Sequence, residues 1–250
     1  MKFIGVDLGW TSGATGLCCL QLVGSNLELA SLTTHTPLPE VWQWFDQQIL
    51  PTEPGLVAVD APTLIPNATG SRLCDRLAHK HFGRYHAGAY PANQGLPFAQ
   101  QTTSFGDRLT ELGFAHAPTI EPQQPGRYQI ELFPHPATIQ LFGLSRILKY
   151  KKGKLRDRKL ALAQLHQHIT TVLPTLVPAL ALPIPLPSDY SALTSKQLKA
   201  IEDQLDSLLC AYVGAHWWWW GTARNWVLGD AQTGYIVVPA PPGTPSTSHA

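Results

Sequence analysis

Three apolar segments of strand character follow one another before any helical pattern begins, and that order limits what the chain can become. Residues 2–8 read KFIGVDL, a short apolar run closed by a glycine, as a buried strand does. Residues 14–23, ATGLCCLQLV, and 26–35, NLELASLTTH, are separated only by Gly24-Ser25, the spacing of a hairpin. Pro37 then opens LPEVWQWFDQQIL, with Val41, Trp44, Phe45 and Gln48 at amphipathic helical spacing. The segment Pro51 to Gly55 stops this helix, and LVAVDAP (56–62) is a continuous apolar strand ended by Asp60 and Pro62. A doubly wound dinucleotide fold requires a helix directly after its first strand, so this order excludes it.

Three antiparallel strands, one helix and a strand returning beside the first is how an RNase H-like fold begins. The expected architecture is therefore α/β: a mixed five-stranded central sheet with its first three strands antiparallel, and helices on its flanks. Residues 63–126 read as an insertion, with helical pieces near Ser71–His81 and Phe98–Gly113 around a loop rich in Gly, Pro and Asn. RYQIELFPHPA (127–137) supplies a fifth strand ending near Glu131, with a helix after Pro136. Helices are expected at Arg156–Leu173 and, from an N-cap Thr or Ser, at Thr194–His216. NWVLGD and TGYIVVP form a terminal hairpin. A single domain over 1–238 follows, with a tail from 239 to 250 that reads as disordered by composition.

Only 14% of the residues are charged, against about 25% in an ordinary domain. The net charge of +1 leaves the whole molecule without an electrostatic footprint for nucleic acid. Locally the balance differs: RILKYKKGKLRDRK, from Arg146 to Lys159, holds eight of the eighteen Lys and Arg, a density that favours an anion-facing loop. Cys18, Cys19, Cys74 and Cys210 form no C-x-x-C pair with a partner pair, which argues against zinc. No signal peptide and no apolar stretch of membrane-spanning length is evident, so a cytoplasmic protein with no membrane partner is expected. Oligomeric state is not legible.

Carboxylates at the ends of buried strands are costly unless something uses them. Asp7 interrupts FIGVDLGW, Asp60 ends VAVDAP and Glu131 ends YQIELFP. In the expected fold the first and fourth strands are parallel neighbours, which brings Asp7 and Asp60 to one sheet edge. On the late helix IEDQLDSLLCAYVG, Asp206 continues the apolar side of Leu209, Cys210 and Val213 and so points inward, with Asp203 or Glu202 beside it. A lone Asp at a strand end is more often a turn or a cap, but Asp7, Asp60 and Asp206 together point to a site for Mg²⁺ or Mn²⁺. Glu131 could instead pair structurally with Arg72, Arg76 or Lys149. His135, between two prolines, reads as a loop residue orienting a helix start. The run Trp217–Trp220 reads as helix-end packing beneath the terminal hairpin, with base stacking as the alternative.

GVDLGW, VDAP, RLCDRL followed by PAN, ELFPHPA and DSLLCAY, in that order, resemble the family known as domain of unknown function 429, a predicted RNase H-like nuclease. The resemblance runs over about residues 3–238. It implies a metal-dependent nuclease acting on DNA or RNA, with Asp7, Asp60, Glu131 and Asp206 as its acidic set. Arg72, Asp75 and Arg76 match its R-x-x-D-R element, and Pro91-Ala92-Asn93 its PAN element. Arg72, Arg76 and Asn93, with Lys149, Lys151 and Lys152 of the basic cluster, are the expected substrate-binding residues. Two other readings compete. DLGWTSGATG resembles the phosphate-binding hairpin of the actin and sugar-kinase group, which would imply ATP-dependent phosphotransfer; and the fold could serve as a non-catalytic binding module.

Overall fold

The computed structural model describes residues 1–9 and 13–241. In chain order they form β1 (Lys2–Asp7), β2 (Thr15–Val23), β3 (Asn26–His35), α1 (Leu38–Gln48), β4 (Gly55–Val59), α2 (Leu73–Phe82), α3 (Ala99–Glu111), β5 (Ala115–His116), β6 (Arg127–Glu131), α4 (Pro134–Phe142), α5 (Leu155–Val172), β7 (Ala179–Leu180), α6 (Ser195–Trp220), β8 (Asn225–Asp230) and β9 (Gly234–Pro239). Strands β1, β2 and β3 run antiparallel, β4 lies parallel to β1, and β6 lies parallel to β4. That central order, β3-β2-β1-β4-β6, is compatible with an RNase H-like fold.

The sheet has seven strands rather than the expected five, because β5 and β7 add an edge on either side. Each is only two residues long, too short for a period-2 pattern to appear in sequence. The C-terminal β8–β9 hairpin is a separate antiparallel sheet. Helix α4 starts at Pro134 rather than after Pro136. A proline costs a first helical turn nothing, since its missing N–H would have no intrahelical partner there. Residues 242–250, most of the expected tail, lie outside the described residues, while Pro239 closes β9 and the Ala240 N–H donates to the Arg224 carbonyl at 2.9 Å.

Both faces of the sheet are covered, which is why its central strands read as unbroken apolar runs. On one face Ile4, Val6, Cys19, Val57 and Val59 pack with Trp44 and Phe45 of α1 and Phe105 and Leu109 of α3. So α3, within the 63–126 segment, lies on the main sheet and carries the chain from β4 toward β6. On the other face Phe3, Cys18, Leu20, Leu56 and Ala58 pack with Leu162 and Leu165 of α5 and a long row from α6.

Helix α6 approaches the sheet closely at two glycines. A Cβ on Gly5 would fall 1.9 Å from the Ser207 carbonyl oxygen, and one on Gly16 would fall 2.0 Å from that of Asp203. Only glycine permits this, and the contact brings the Asp203–Ser207 turn of α6 down beside the end of β1.

The same helix runs four residues beyond the expected His216, through the whole tryptophan run. Trp217 donates its indole N–H to the Ala117 carbonyl at 3.0 Å, Trp218 to Gln124 at 2.8 Å and Trp220 to Val177 at 2.6 Å. A helix surrounded by the rest of the chain is apolar all round, so successive tryptophans each find a different wall. The indoles are thereby anchored to loops on several sides, while Trp217 and Trp218 share one core with Tyr235 and Val237 of the terminal hairpin. Among the described residues no helix is long and apolar enough to cross a membrane. All four cysteines are buried and free.

Candidate functional site

Parallel strands end together, and here that places three acids at one edge. Val6 pairs with Val59 and Val59 with Glu131, while the Asp60 N–H donates to the Val6 carbonyl at 2.8 Å. Asp7, Asp60 and Glu131 thus stand at the carboxyl ends of β1, β4 and β6, where ligands bind in open α/β sheets. Asp206 comes down from α6 onto the same edge and is completely buried.

A cation sits among these acids. Lys151, from the loop between α4 and α5, places Nζ 2.7 Å from Asp206 Oδ2 and 4.0 Å from Asp60 Oδ2. The neighbouring Tyr150 hydroxyl donates to Asp206 Oδ1 at 2.8 Å, and His135 Nδ1 lies 3.5 Å from that hydroxyl. Asp206 Oδ2 is buried and faces the Lys151 ammonium. One turn earlier on α6, Asp203 accepts from Lys199 at 2.5 Å through Oδ1, and its buried Oδ2 is unpartnered. Glu202 is held by Lys199 and Arg158.

Burial pushes the Asp7 carboxyl well above the usual carboxylate range; Lys151 opposes the shift, and Asp206, Asp60 and Asp203 add to it. Burial likewise raises Asp60 to about 7, again with Lys151 opposing. Burial alone would lower Lys151, but Asp206, Asp7 and Asp60 together hold its ammonium well above the ordinary lysine value. His135 is pushed down to about 4 by burial and then by Lys151, so its imidazole is neutral near pH 7. One ammonium cannot neutralise three ionised carboxylates. The site must hold protons or take up further positive charge.

This makes a pH-dependent prediction. An acid whose folded pKa is raised contributes stability below its unfolded value, near 3.8, and loses it as pH climbs through the folded value near 7. Asp60→Asn should therefore gain stability relative to the native chain as pH rises from about 4 to 8. The gain is reduced by the 17% exposure of the side chain and should be on the order of 1–2 kcal/mol. Thermal melts of both proteins across that range test it, and a difference independent of pH would mean that Asp60 titrates normally.

Glu131 shares the edge but is engaged elsewhere. Arg72 grips it at both oxygens, 2.7 Å to Oε2 and 2.6 Å to Oε1, and all of these atoms are buried. Burial still raises Glu131 to about 7 against the pull of Arg72. Arg72 also binds Asp75 at 2.8 Å, and Asp75 Oδ2 accepts from the Arg72 and Ala92 backbone N–H groups at 3.0 and 2.9 Å. The R-x-x-D element is therefore a buried ionic knot joining β6, the start of α2 and the loop before α3. Arg72 is 4% exposed, so the expectation that it faces substrate gives way to a structural role.

Asn93 is similarly occupied, donating to the Gly70 carbonyl at 2.9 Å and accepting from the Gly95 N–H at 3.1 Å. Arg76, Lys149 and Lys152 are exposed and keep their charges in solvent. Of Lys149, Lys151 and Lys152 only Lys151 turns inward, a role nothing in KYKKGK distinguishes, because a loop has no periodicity to separate inside from outside. The glycine-rich hairpin at 7–16 is only partly described: Trp10, Thr11 and Ser12 lie outside the described residues, and the Gly9 N–H donates to Thr15 Oγ1 at 3.1 Å.

Two hollows share Tyr90 and Pro91, and the narrower one reaches Asp60. A narrow cavity of about 90 Å³ is lined by Asp60, Pro62, Tyr90, Pro91 and Phe133, among others. Tyr90 and Pro91 also line a wider cleft of about 580 Å³ that includes Arg76, His79 and His86. As the side chains stand, among the described residues no three of His, Cys, Asp or Glu form a group that could hold a metal ion. The position between Asp206 and Asp60 is taken by the Lys151 ammonium. No curated protein and no solved structure matches the chain. A family model for a protein of unknown function, DUF429, matches residues 5–232, which include every element from β2 to β8 and all but the start of β1, and the chain therefore belongs to that family.

Proposed function

We propose that this protein hydrolyses phosphodiester bonds of nucleic acid at the edge formed by Asp7, Asp60 and Asp206, using Mg²⁺ or Mn²⁺. The observation that carries this reading is the gathering of buried carboxylates from two parallel strands and a facing helix around the Lys151 ammonium. The donor set is of the kind a hard divalent ion takes, all oxygen with excess negative charge, once the Lys151 ammonium leaves its place between Asp206 and Asp60. Asp7, Asp60 and Asp206 would hold the ion, which in such sites lowers the pKa of bound water and offsets charge on the phosphate.

The chain's own residues have separate tasks. Tyr150 fixes the rotamer of Asp206 through its 2.8 Å hydrogen bond. Lys151 offsets part of the acids' charge in the resting protein and, once displaced, carries its charge toward the substrate phosphates beside Lys152 and Lys149. Glu131 and Arg72 keep β6 and α2 in place around the site without touching substrate.

A protein that grips phosphates releases counterions, so its affinity should fall steeply with salt. Three contacts from Lys149, Lys152 and Arg76 give a slope of log affinity against log salt of about −2 to −3. Titrating labelled DNA and RNA between low and high salt, in EDTA, measures it. Affinity that stays flat with salt would reduce the basic loop to a solvated face.

A further inference from the structure

Tyr90 is 75% exposed, the most exposed large apolar or aromatic side chain among the described residues. Its segment is well anchored. The Ala92 N–H is held by Asp75 of the ionic knot, Asn93 ties the same turn to the Gly70 carbonyl, and the Gln94 N–H donates to the Asn67 carbonyl at 3.0 Å. The ring stands at the junction of the two hollows, because Tyr90 and Pro91 line both the cavity that reaches Asp60 and the wider cleft holding Arg76. Two cations stand nearby. Lys152 Nζ lies over one face of the ring, 6.0 Å from its centroid and one residue beyond the lysine that sits among the acids, and Arg76 lines the wider cleft. The carboxylate of that cleft, Asp75, is buried and already bound to Arg72, so it does not cancel their charge.

We infer that Tyr90 is a stacking platform for one base of a single-stranded polynucleotide, with the adjoining phosphates held by Lys152 and Arg76. The inference rests on the nuclease reading and narrows its substrate. A strand whose phosphate reaches Asp60 has its flanking nucleotide beside Tyr90, since both residues line the narrow cavity. Stacking on the face of the ring requires a base out of its duplex. An internal base pair, already stacked above and below, cannot offer its face. The ring does not distinguish DNA from RNA, because every base has a π-face and none of these contacts reads a 2′-hydroxyl.

The test measures binding of the full-length chain to labelled oligothymidine, oligouridine and a DNA duplex of equal length, by anisotropy in EDTA so that nothing is cut. Tyr90→Ala should weaken both single strands by about 5- to 150-fold, the range for loss of one stacked base, and leave duplex affinity unchanged. Tyr90→Phe should keep the native affinity, since it retains the ring. Arg76→Ala should weaken single-strand binding and flatten its salt slope by about one. The exposure of Tyr90 and Arg76 keeps these variants folded, which their melting temperatures check. If Tyr90→Ala binds single strands as the native chain does, the platform is wrong while the nuclease reading stands. The platform is equally wrong if the native chain binds only duplex. If the native chain binds none of the three, both readings fall.

Discussion

Arg72→Ala is expected to cost about 3–5 kcal/mol of folding stability, a large part of the roughly 5–15 kcal/mol that holds a typical domain together. The guanidinium is buried, grips both oxygens of Glu131, and also binds Asp75 and the Leu64 carbonyl. Removing it leaves two carboxylates sealed from water without a counter-charge, and a buried unpaired charge is far more costly than a lost surface pair. The loss should depend on pH in a definite sense. Without Arg72 the Glu131 carboxyl, already raised to about 7 by burial, is raised further. Its folded form then binds a proton that the unfolded chain has released, so the variant loses stability progressively as pH rises from about 4.5 through neutrality. Urea unfolding at pH 5 and pH 8 measures both effects, with the larger loss at pH 8. A substrate-binding arginine would behave differently: its removal would weaken nucleic-acid binding and leave unfolding unchanged. A loss below about 1 kcal/mol at both pH values would show that the knot is solvated.

Asp7→Asn should abolish metal-dependent cleavage and still melt no lower than the native chain in metal-free buffer. Burial and the neighbouring acids hold Asp7 well above the usual carboxylate range, so in the absence of metal the neutral acid is favoured. An amide is nearly isosteric with that neutral acid and relieves repulsion among Asp60, Asp203 and Asp206. Adding Mg²⁺ or Mn²⁺ reverses the order. An ion that binds only the folded state stabilises it by about 2.7 kcal/mol at a hundredfold excess over its dissociation constant, and the native chain should gain most of this while the variant gains little. A structural aspartate would give another pattern, with stability lost in either buffer. Equal metal responses from the two proteins would sink the metal-site reading, and the proposed activity with it.

What the sequence determined by itself is what local chemistry can encode. The segments KFIGVDL, ATGLCCLQLV and NLELASLTTH carry their own turn residues and apolar runs, so β1, β2 and β3 occur at those places. The alignment of Asp7 and Asp60 at one edge was equally legible, because parallel neighbouring strands end on the same side, whereas the pairing of β6 with β4 that adds Glu131 came from the structure. The inward turn of Asp206 followed from its place on the apolar stripe of Leu209 and Val213. The tertiary structure decided which charges meet. Glu131 and Arg72 are fifty-nine residues apart, and Lys151 and Asp206 stand on different elements. Nothing in either local sequence says that Arg72 closes a buried knot while Lys151, one of three lysines in KYKK, enters the acid cluster. The same holds for the far end of α6, where each of these tryptophans is helical because a separate loop, at Ala117, Gln124 or Val177, waits to accept its indole N–H. Strand order and strand ends follow from periodicity and turns over a few residues. The partner of a buried charge depends on which distant segment the fold brings alongside it, and that is settled only when the layers pack.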